Sequence, residues 1–341
     1  MSDTRSRRKR RKRKIWIIPV IAAAVAVAVL IFIWGRTAGS DYSEVKATDQ
    51  SRSSGSADTV QWKGKAYKYN SHLSNYLLIG VDSREPVETT EGQANAGQAD
   101  AIYLASWNRV EGTVTLITIP RDTMTNIEVF LPSGESAGMS EDHISLSYAF
   151  GDGGHKSCRL TEQAVSDLFY GLPIQSYCAV NLDGLPVLTE SVGNLSVTVP
   201  NDSLAAAYPE FQEGAQVTLT PENTETFVRY RDITVSQSAL DRTERQQAFI
   251  SAFGEAARSQ FAQDPGYAAN LYLSLEPYMV TSMSTDQFAD LAESISQGGT
   301  AEGWTVPGEG VEGAAYDEYH VDDDALYEKI IETFYEEAEQ Q

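Results

Sequence analysis

Residues 75–122 read NYLLIGVDSREPVETTEGQANAGQADAIYLASWNRVEGTVTLITIPRD. Apolar runs inside this stretch border on charge. Residues 76–81 run into Asp82, Asp100 opens 101–106, and 114–120 run into Arg121 and Asp122. Short runs rich in β-branched residues and bounded by Gly, Pro and Asp read as buried strands. In open α/β sheets ligands bind beyond the strand ends. Two carboxylates and an arginine at such ends point to a metal-phosphate site, because carboxylates take hard cations and guanidinium takes phosphate. Segment 83–99 between the first two runs, rich in Gly, Ala and Gln, reads either as a lid or as a plain surface loop.

Outward from this centre the pattern alternates. Helices are expected over 143–150, 161–170, 185–191, 221–230, 242–261, 286–295 and 323–336. Strands are expected over 176–182, 195–199 and 304–307. Strands alternating with helices imply an α/β fold, a mixed central sheet covered by helices on both faces in an αβα sandwich. Ala248, Phe249, Ala252, Phe253, Ala256 and Ala257 give the helix over 242–261 an apolar stripe.

The N-terminus divides sharply. Residues 5–14 hold nine Lys or Arg, and residues 15–34 follow with no charge and a Trp at each end. Such a helix spans roughly 30 Å, one bilayer core, and the basic block orients it with the N-terminus cytoplasmic. The expected layout is a basic tail (1–14), a single transmembrane helix (15–34), an extracytoplasmic linker (35–72) with a short strand near Val60, and a catalytic domain (73–341). A cleaved signal peptide is the competing reading. Beyond residue 14 the chain has 17 basic against 47 acidic residues, a net of −30. So acidic a domain does not attract nucleic acid through its general field. Phosphate binding then requires a local arginine cluster.

The candidates are Arg121, the run Arg229-Tyr230-Arg231, and Asp241-Arg242-Thr243-Glu244-Arg245-Gln246-Gln247. In an extended segment Arg229 and Arg231 share a face; Arg242 and Gln246 share a helix face, with Arg245 nearby. Surface salt bridges are the bland alternative. Cys158 and Cys178 are either a disulfide, permitted in an oxidising compartment, or two buried thiols. The four histidines show no zinc-ligand spacing with them.

Taken in order, the motifs LLIGVDSR (77–84), Asp100, TLITIPRDT (115–123), YAFG (148–151), GLPIQSY (171–177), VNLDG (180–184), FVRYR (227–231) and DRTERQQ (241–247) resemble the LytR-CpsA-Psr family of bacterial cell-envelope proteins. The resemblance implies a membrane-bound transferase. It moves a glycopolymer, such as teichoic acid or capsule, from a polyprenyl-pyrophosphate carrier to a peptidoglycan sugar hydroxyl, forming a phosphodiester. It implies Mg²⁺ (or Mn²⁺) on Asp82 and Asp100, with these and Arg121 as catalytic residues. The pyrophosphate would be held by Arg84, Gln98, Arg121, Arg229, Arg231, Arg242 and Gln246. The lipid would lie in an apolar tunnel lined partly by the helices over 161–170 and 248–261. The chain departs from the family in Gln98-Ala99-Asp100, where Arg-Ser-Asp is usual. It departs again in His143-Ile144-Ser145, where a lysine-containing turn is usual, and in Asp152, where a second glycine is common. A non-catalytic polyprenyl-phosphate scaffold of wall assembly and a pyrophosphatase are the alternative functions. No serine, cysteine or histidine stands in a recognisable nucleophilic triad, so the attacking group is expected to be the acceptor hydroxyl. Asp82, Asp122 and Asp241 are the candidate bases.

Overall fold

The computed structural model describes residues 59–84, 94–232, 234–235, 238–264, 266–283 and 303–338. The expected basic tail, membrane span, most of the linker, the middle of segment 83–99 and the helix over 286–295 lie outside the described residues. Among the described residues no helix is long and apolar enough to cross a membrane.

The centre is β3 (Leu73–Val81), of which every residue but Gly80 is buried. It pairs antiparallel with β4 (Ala99–Asn108), which pairs antiparallel with β5 (Thr113–Ile119). On its other side β3 pairs parallel with β8 (Ser176–Val180). The edges are β11 (Met279–Thr281), antiparallel to β8, and β12 (Trp304–Thr305), parallel to β5. The six-stranded sheet is therefore mixed, in the order β11-β8-β3-β4-β5-β12.

Both faces are covered, which explains the continuous apolar runs. Alternate side chains of β3 divide between two cores. Tyr76 and Leu78 face one, with α3 (Gly184–Ser191), α4 (Thr224–Arg229), α5 (Ser238–Gln263) and α6 (Tyr267–Leu275). Leu77, Ile79 and Val81 face the other, with α1 (Leu146–Ala149), α2 (His155–Leu168) and α7 (Asp323–Phe334). The expected αβα arrangement is present in the described residues.

The two cysteines correct the disulfide expectation. Both are free and buried. Cys178 on β8 joins the core of the first face, whereas Cys158 on α2 joins that of the second. Their side chains lie on opposite sides of the sheet, so the Cβ separation of roughly 3.5–4.5 Å that a disulfide needs is not available. Burial pushes the Cys178 thiol up to about 12 and the Cys158 thiol higher still.

Other departures are local. Helix α2 starts at His155 rather than at 161, because the Asp152 carboxylate accepts from the N–H groups of Gly154, Lys156 and Ser157 and caps the turn. Helix α4 starts at Thr224 rather than at 221. Gly151 ends YAFG because a Cβ there would collide with the backbone of Ser157. The end of the expected linker is sheet: β1 (Thr59–Trp62) and β2 (Lys65–Tyr69) form a hairpin, and β15 (Tyr335–Glu337) adds to β2. Three hairpins decorate the sandwich: β6 (Met124–Phe130) with β7 (Ser136–His143), β9 (Leu195–Thr198) with β10 (Gln216–Leu219), and β13 (Gly308–Glu312) with β14 (Asp317–Val321).

Candidate active site

The ends of β3, β4 and β5 deliver the charges. Between Gly80 and Val81 the β3–β4 register slips, so that Gly80 opposes Ala101 while Val81 opposes Ala99. Asp100 is the extra residue, and a bulge of this kind re-aims a side chain. Beyond the slip Asp82 stays tied to the partner strand: its N–H donates to the Gln98 carbonyl at 3.1 Å, and its Oδ1 accepts from the Gln98 N–H at 2.6 Å. Gly97 is required here, with φ +88° and an added Cβ within 3.2 Å of the Asp82 carboxylate.

Past the end of β5, Pro120 turns the chain and Thr123 Oγ1 donates to the Pro120 carbonyl at 2.7 Å. Arg121 thus projects toward β4. Its Nη1 donates to Asp100 Oδ1, its Nη2 to Gln98 Oε1 and its Nε to Asp122 Oδ1 at 3.0 Å. Guanidinium has five N–H donors, so three are committed and one remains on each Nη. Arg121 is the hub that fastens the three strand ends. Where the family usually has arginine, Gln98 supplies an acceptor to this hub.

Arg242 enters from the first turns of α5 and differs in kind. It is 4% exposed, its Nη1 donates to Asp100 Oδ2 at 3.0 Å, and its Nε and Nη2 have no hydrogen-bond partner. Asp100 therefore carries a guanidinium on each oxygen. Burial lowers the Arg242 pKa to about 10; Arg231 and Arg229 push the same way, while Asp122 and Asp82 oppose. Burial lowers the Arg121 pKa too, with Arg242 and Arg231 adding to it. Like charges held this close in a poorly solvated place call for an anion.

Arg229 and Arg231 do not form the extended pair expected. Arg229 closes α4 and pairs with Glu225 one turn earlier, at 3.3 Å. Arg231 follows the turn at Tyr230. What holds that turn is Arg245, completely buried, whose Nη1 and Nη2 donate to the carbonyls of Phe227 and Tyr230. Its role was missed at the sequence level, although the signal was there: Arg242, Arg245, Gln246, Phe249, Phe253 and Ala257 are buried on one face of α5. Burial and the neighbouring Arg242 push the Arg245 pKa down to about 10. Gln246 Nε2 donates to the Val228 carbonyl at 3.2 Å. Gln247 bridges α5 to the sheet through Thr118 and Thr305. Arg84 is half-exposed, held between Asp183 at 2.8 Å and Glu225, and shares the Glu225 carboxylate with Arg229.

Two concavities flank this group. On one side an apolar cavity of about 140 Å³ runs between the sheet and α3 and α5. Leu78, Tyr103, Leu188, Phe249 and Phe253 line it, and Asp100, Arg229 and Gln246 stand at its polar end. Helix α2, expected to share in lining a tunnel, packs on the opposite face of the sheet. The Tyr103 hydroxyl in the cavity wall is buried without a partner. On the other side lies a polar cleft of about 860 Å³, with Gln98, Arg121, Asp122, His143 and Arg231 along it and the β13–β14 turn at its edge. Among the described residues no group of three or more His, Cys, Asp or Glu could hold a metal alone. The donor set is instead two carboxylates on neighbouring strand ends, Asp82 and Asp100. Carboxylates of this kind take a hard cation, but Asp100 already has a guanidinium on each oxygen and Asp82 Oδ1 accepts from Gln98, so a cation here would share Asp100 with Arg121 and Arg242.

Comparison with known proteins agrees with the architecture. The crystal structure of Bacillus subtilis TagV superposes with a TM-score of 0.57 at 18% identity, covering 77% of this chain and 97% of that one. A structure of TagT bound to LI-WTA gives 0.56 at 20%, covering 77% and 89%. In sequence the chain is 32% identical over 185 residues to the polyisoprenyl-teichoic acid–peptidoglycan teichoic acid transferase TagU of Oceanobacillus iheyensis, covering 54% of this chain and 51% of that protein. It is 29% identical over 176 residues to TagU of Halalkalibacterium halodurans, covering 52% and 50%. The chain thus spans about half the length of these curated relatives. Residues 35–333 match the LytR_cpsA_psr family, and the chain belongs to it.

Proposed function

We propose that the chain is a membrane-tethered phosphotransferase that moves a glycopolymer from a polyprenyl-pyrophosphate carrier to a sugar hydroxyl of peptidoglycan. One observation carries this reading: a buried arginine with two unpartnered nitrogens, Arg242, stands among three other arginines and is bonded to Asp100, which lines the apolar cavity together with Arg229. The apolar lining suits the first isoprene units of a polyprenyl chain, and its pyrophosphate suits Arg242, Arg229, Arg231 and the spare N–H groups of Arg121. The names of the TagU relatives point to the same substrate class. The uncharged run 15–34 behind a basic block supports the tether.

The chemistry follows from positioning and charge. The acceptor hydroxyl attacks the phosphorus that bears the glycopolymer. A new P–O bond forms, the bond to the bridging oxygen breaks, and polyprenyl phosphate departs. Arg242 and Arg121 meet the charge that builds on that oxygen, in a site dry enough for the attraction to be strong. Asp82 and Asp100 would hold Mg²⁺, which supplies Lewis-acid polarisation of the phosphate oxygens. Asp100, with a guanidinium on each oxygen, also keeps Arg121 and Arg242 pointed at one place.

The test uses the full chain in detergent with Mg²⁺, a radiolabelled lipid-linked glycopolymer and isolated peptidoglycan. Label is expected to pass to the insoluble wall fraction, to stay on the lipid with EDTA, and to stay there in Asp82→Ala and Arg121→Ala proteins that remain folded. Release of free glycopolymer phosphate would make the protein a pyrophosphatase. Retained lipid with no turnover would make it a binding protein.

A further inference from the structure

The polar cleft shares Arg121 and Arg231 with the pyrophosphate site and extends from them to the β13–β14 turn. It opens among groups of distinct character. Arg121, Asp122 and Arg231 lie along its inner side, and His143 is fixed there by Asp142 at 3.1 Å and the Asp317 carbonyl at 2.9 Å. Ser145 lies in its wall, completely buried; its backbone ties Arg121 to Ala99, while its hydroxyl has no partner. A buried polar group left unsatisfied calls for a reason. At the edge Tyr316 is 75% exposed, the most exposed large hydrophobic side chain among the described residues, and its ring meets the His143 ring edge-on at 6.4 Å. An aromatic ring at a polar cleft, apolar on its face and polar at its tip, offers a platform for the C–H face of a sugar.

Charge distinguishes the outer edge of this cleft from its arginine-lined side. The β13–β14 hairpin that borders it carries Glu309, Glu312, Asp317 and Glu318. An acidic border repels a phosphate-bearing polymer and admits an uncharged one. We propose that the cleft is the acceptor subsite: it seats an uncharged N-acetylhexosamine strand on Tyr316, with one sugar hydroxyl beside Asp122. This rests on the transfer reading above. Asp122 is the candidate base that lines the cleft; the Asp241 backbone is instead tied to Asn201. As the hydroxyl oxygen bonds to phosphorus, its proton passes to the Asp122 carboxylate. The bridging P–O bond breaks and its electron pair leaves with polyprenyl phosphate.

The experiment separates the two halves of the site. Chitotetraose, an uncharged β-1,4 N-acetylglucosamine tetramer, and geranyl pyrophosphate are titrated separately into the full chain in detergent with Mg²⁺. Wild type is expected to bind both. Tyr316→Ala is expected to weaken chitotetraose at least about tenfold and to leave geranyl pyrophosphate unchanged; Arg242→Met is expected to do the reverse. Ser145→Ala is expected to weaken the sugar without lowering the Tm. Chitotetraose binding that is absent, or indifferent to Tyr316→Ala, while geranyl pyrophosphate binds normally, overturns the acceptor cleft and spares the donor reading. Sugar binding that depends on Tyr316, without any pyrophosphate binding, keeps the cleft and removes the donor reading. Failure of both ligands on folded protein overturns both.

Discussion

Arg242→Met is the sharpest perturbation of the site because it should move affinity and stability in unequal measure. The side chain is buried and makes one charge-assisted hydrogen bond, to Asp100, with two nitrogens unused. Its pKa, brought down to about 10 chiefly by burial, means that carrying the charge in the fold costs about 3 kcal/mol at roughly 1.4 kcal/mol per tenfold. Methionine removes that cost, keeps most of the stem, and forfeits the bond to Asp100, worth about 1.5–3 kcal/mol. The two terms nearly cancel, so stability should change by no more than about 2 kcal/mol and Tm by roughly 5 °C. Ligand binding has no such compensation. Two charge-assisted bonds to pyrophosphate are worth about 3–6 kcal/mol together, a loss of about 10²–10⁴ in affinity. Calorimetric titration with geranyl pyrophosphate, alongside a thermal melt, measures both. Affinity within about threefold of wild type in a protein of normal Tm would refute the argument that Arg242 is held in reserve for an anion.

Other perturbations follow from the same geometry. Asp100→Asn withdraws the charge that two buried guanidiniums share; it should cost about 3–5 kcal/mol of stability as well as transfer, seen as a lowered urea midpoint. Gly151→Ala forces a Cβ into the Ser157 backbone, so the variant should be recovered unfolded or several kcal/mol less stable, about 3 or more, by circular dichroism. Both thiols have folded pKa values raised by burial above the ordinary 9.0, so the native state keeps protons that the unfolded state gives up. Their stabilising contribution is complete below pH 9 and is lost as pH climbs toward the folded values, which predicts a falling Tm above pH 9. Iodoacetamide should label neither cysteine in the native protein and both in urea. A mass showing a disulfide would contradict the placement of Cys158 and Cys178 on opposite faces.

The parts legible in the sequence share a physical cause. Strands β3, β4 and β5 are buried on both faces, so their apolar runs are continuous and their ends are marked by the functional charges. Helix α5 announces itself by its stripe. What escaped is non-local or polar. Strand β7 is almost wholly exposed and carries no apolar pattern, and β2 is completed by a strand more than 250 residues away in the chain. The opening turn of α2 is polar, and its cap, Asp152, stands ahead of the first apolar residue. Within the site the aspartates and Arg121 were readable as strand ends. The turn around Tyr316 was not, because only the tertiary fold brings β13–β14 beside Arg121. Arg245 is the instructive miss: arginine defaults to the surface, and only its helical phase with Phe249 and Phe253 reveals a buried clamp.

The three-stranded sheet β1-β2-β15 sets the path of mechanical load. A pull transmitted through residues preceding Thr59 enters at β1 and reaches β2, which β15 braces across Tyr69, Lys68 and Tyr67. The Asn70 N–H, bonded to the Phe334 carbonyl at 2.9 Å, shunts tension into α7 before the chain reaches β3. Being an antiparallel hairpin, β1–β2 peels bond by bond, yielding at low force and lengthening the lever. A pull applied at Thr59 would thus be absorbed in this small sheet, and the strand that leads to Asp82 would be spared the strain.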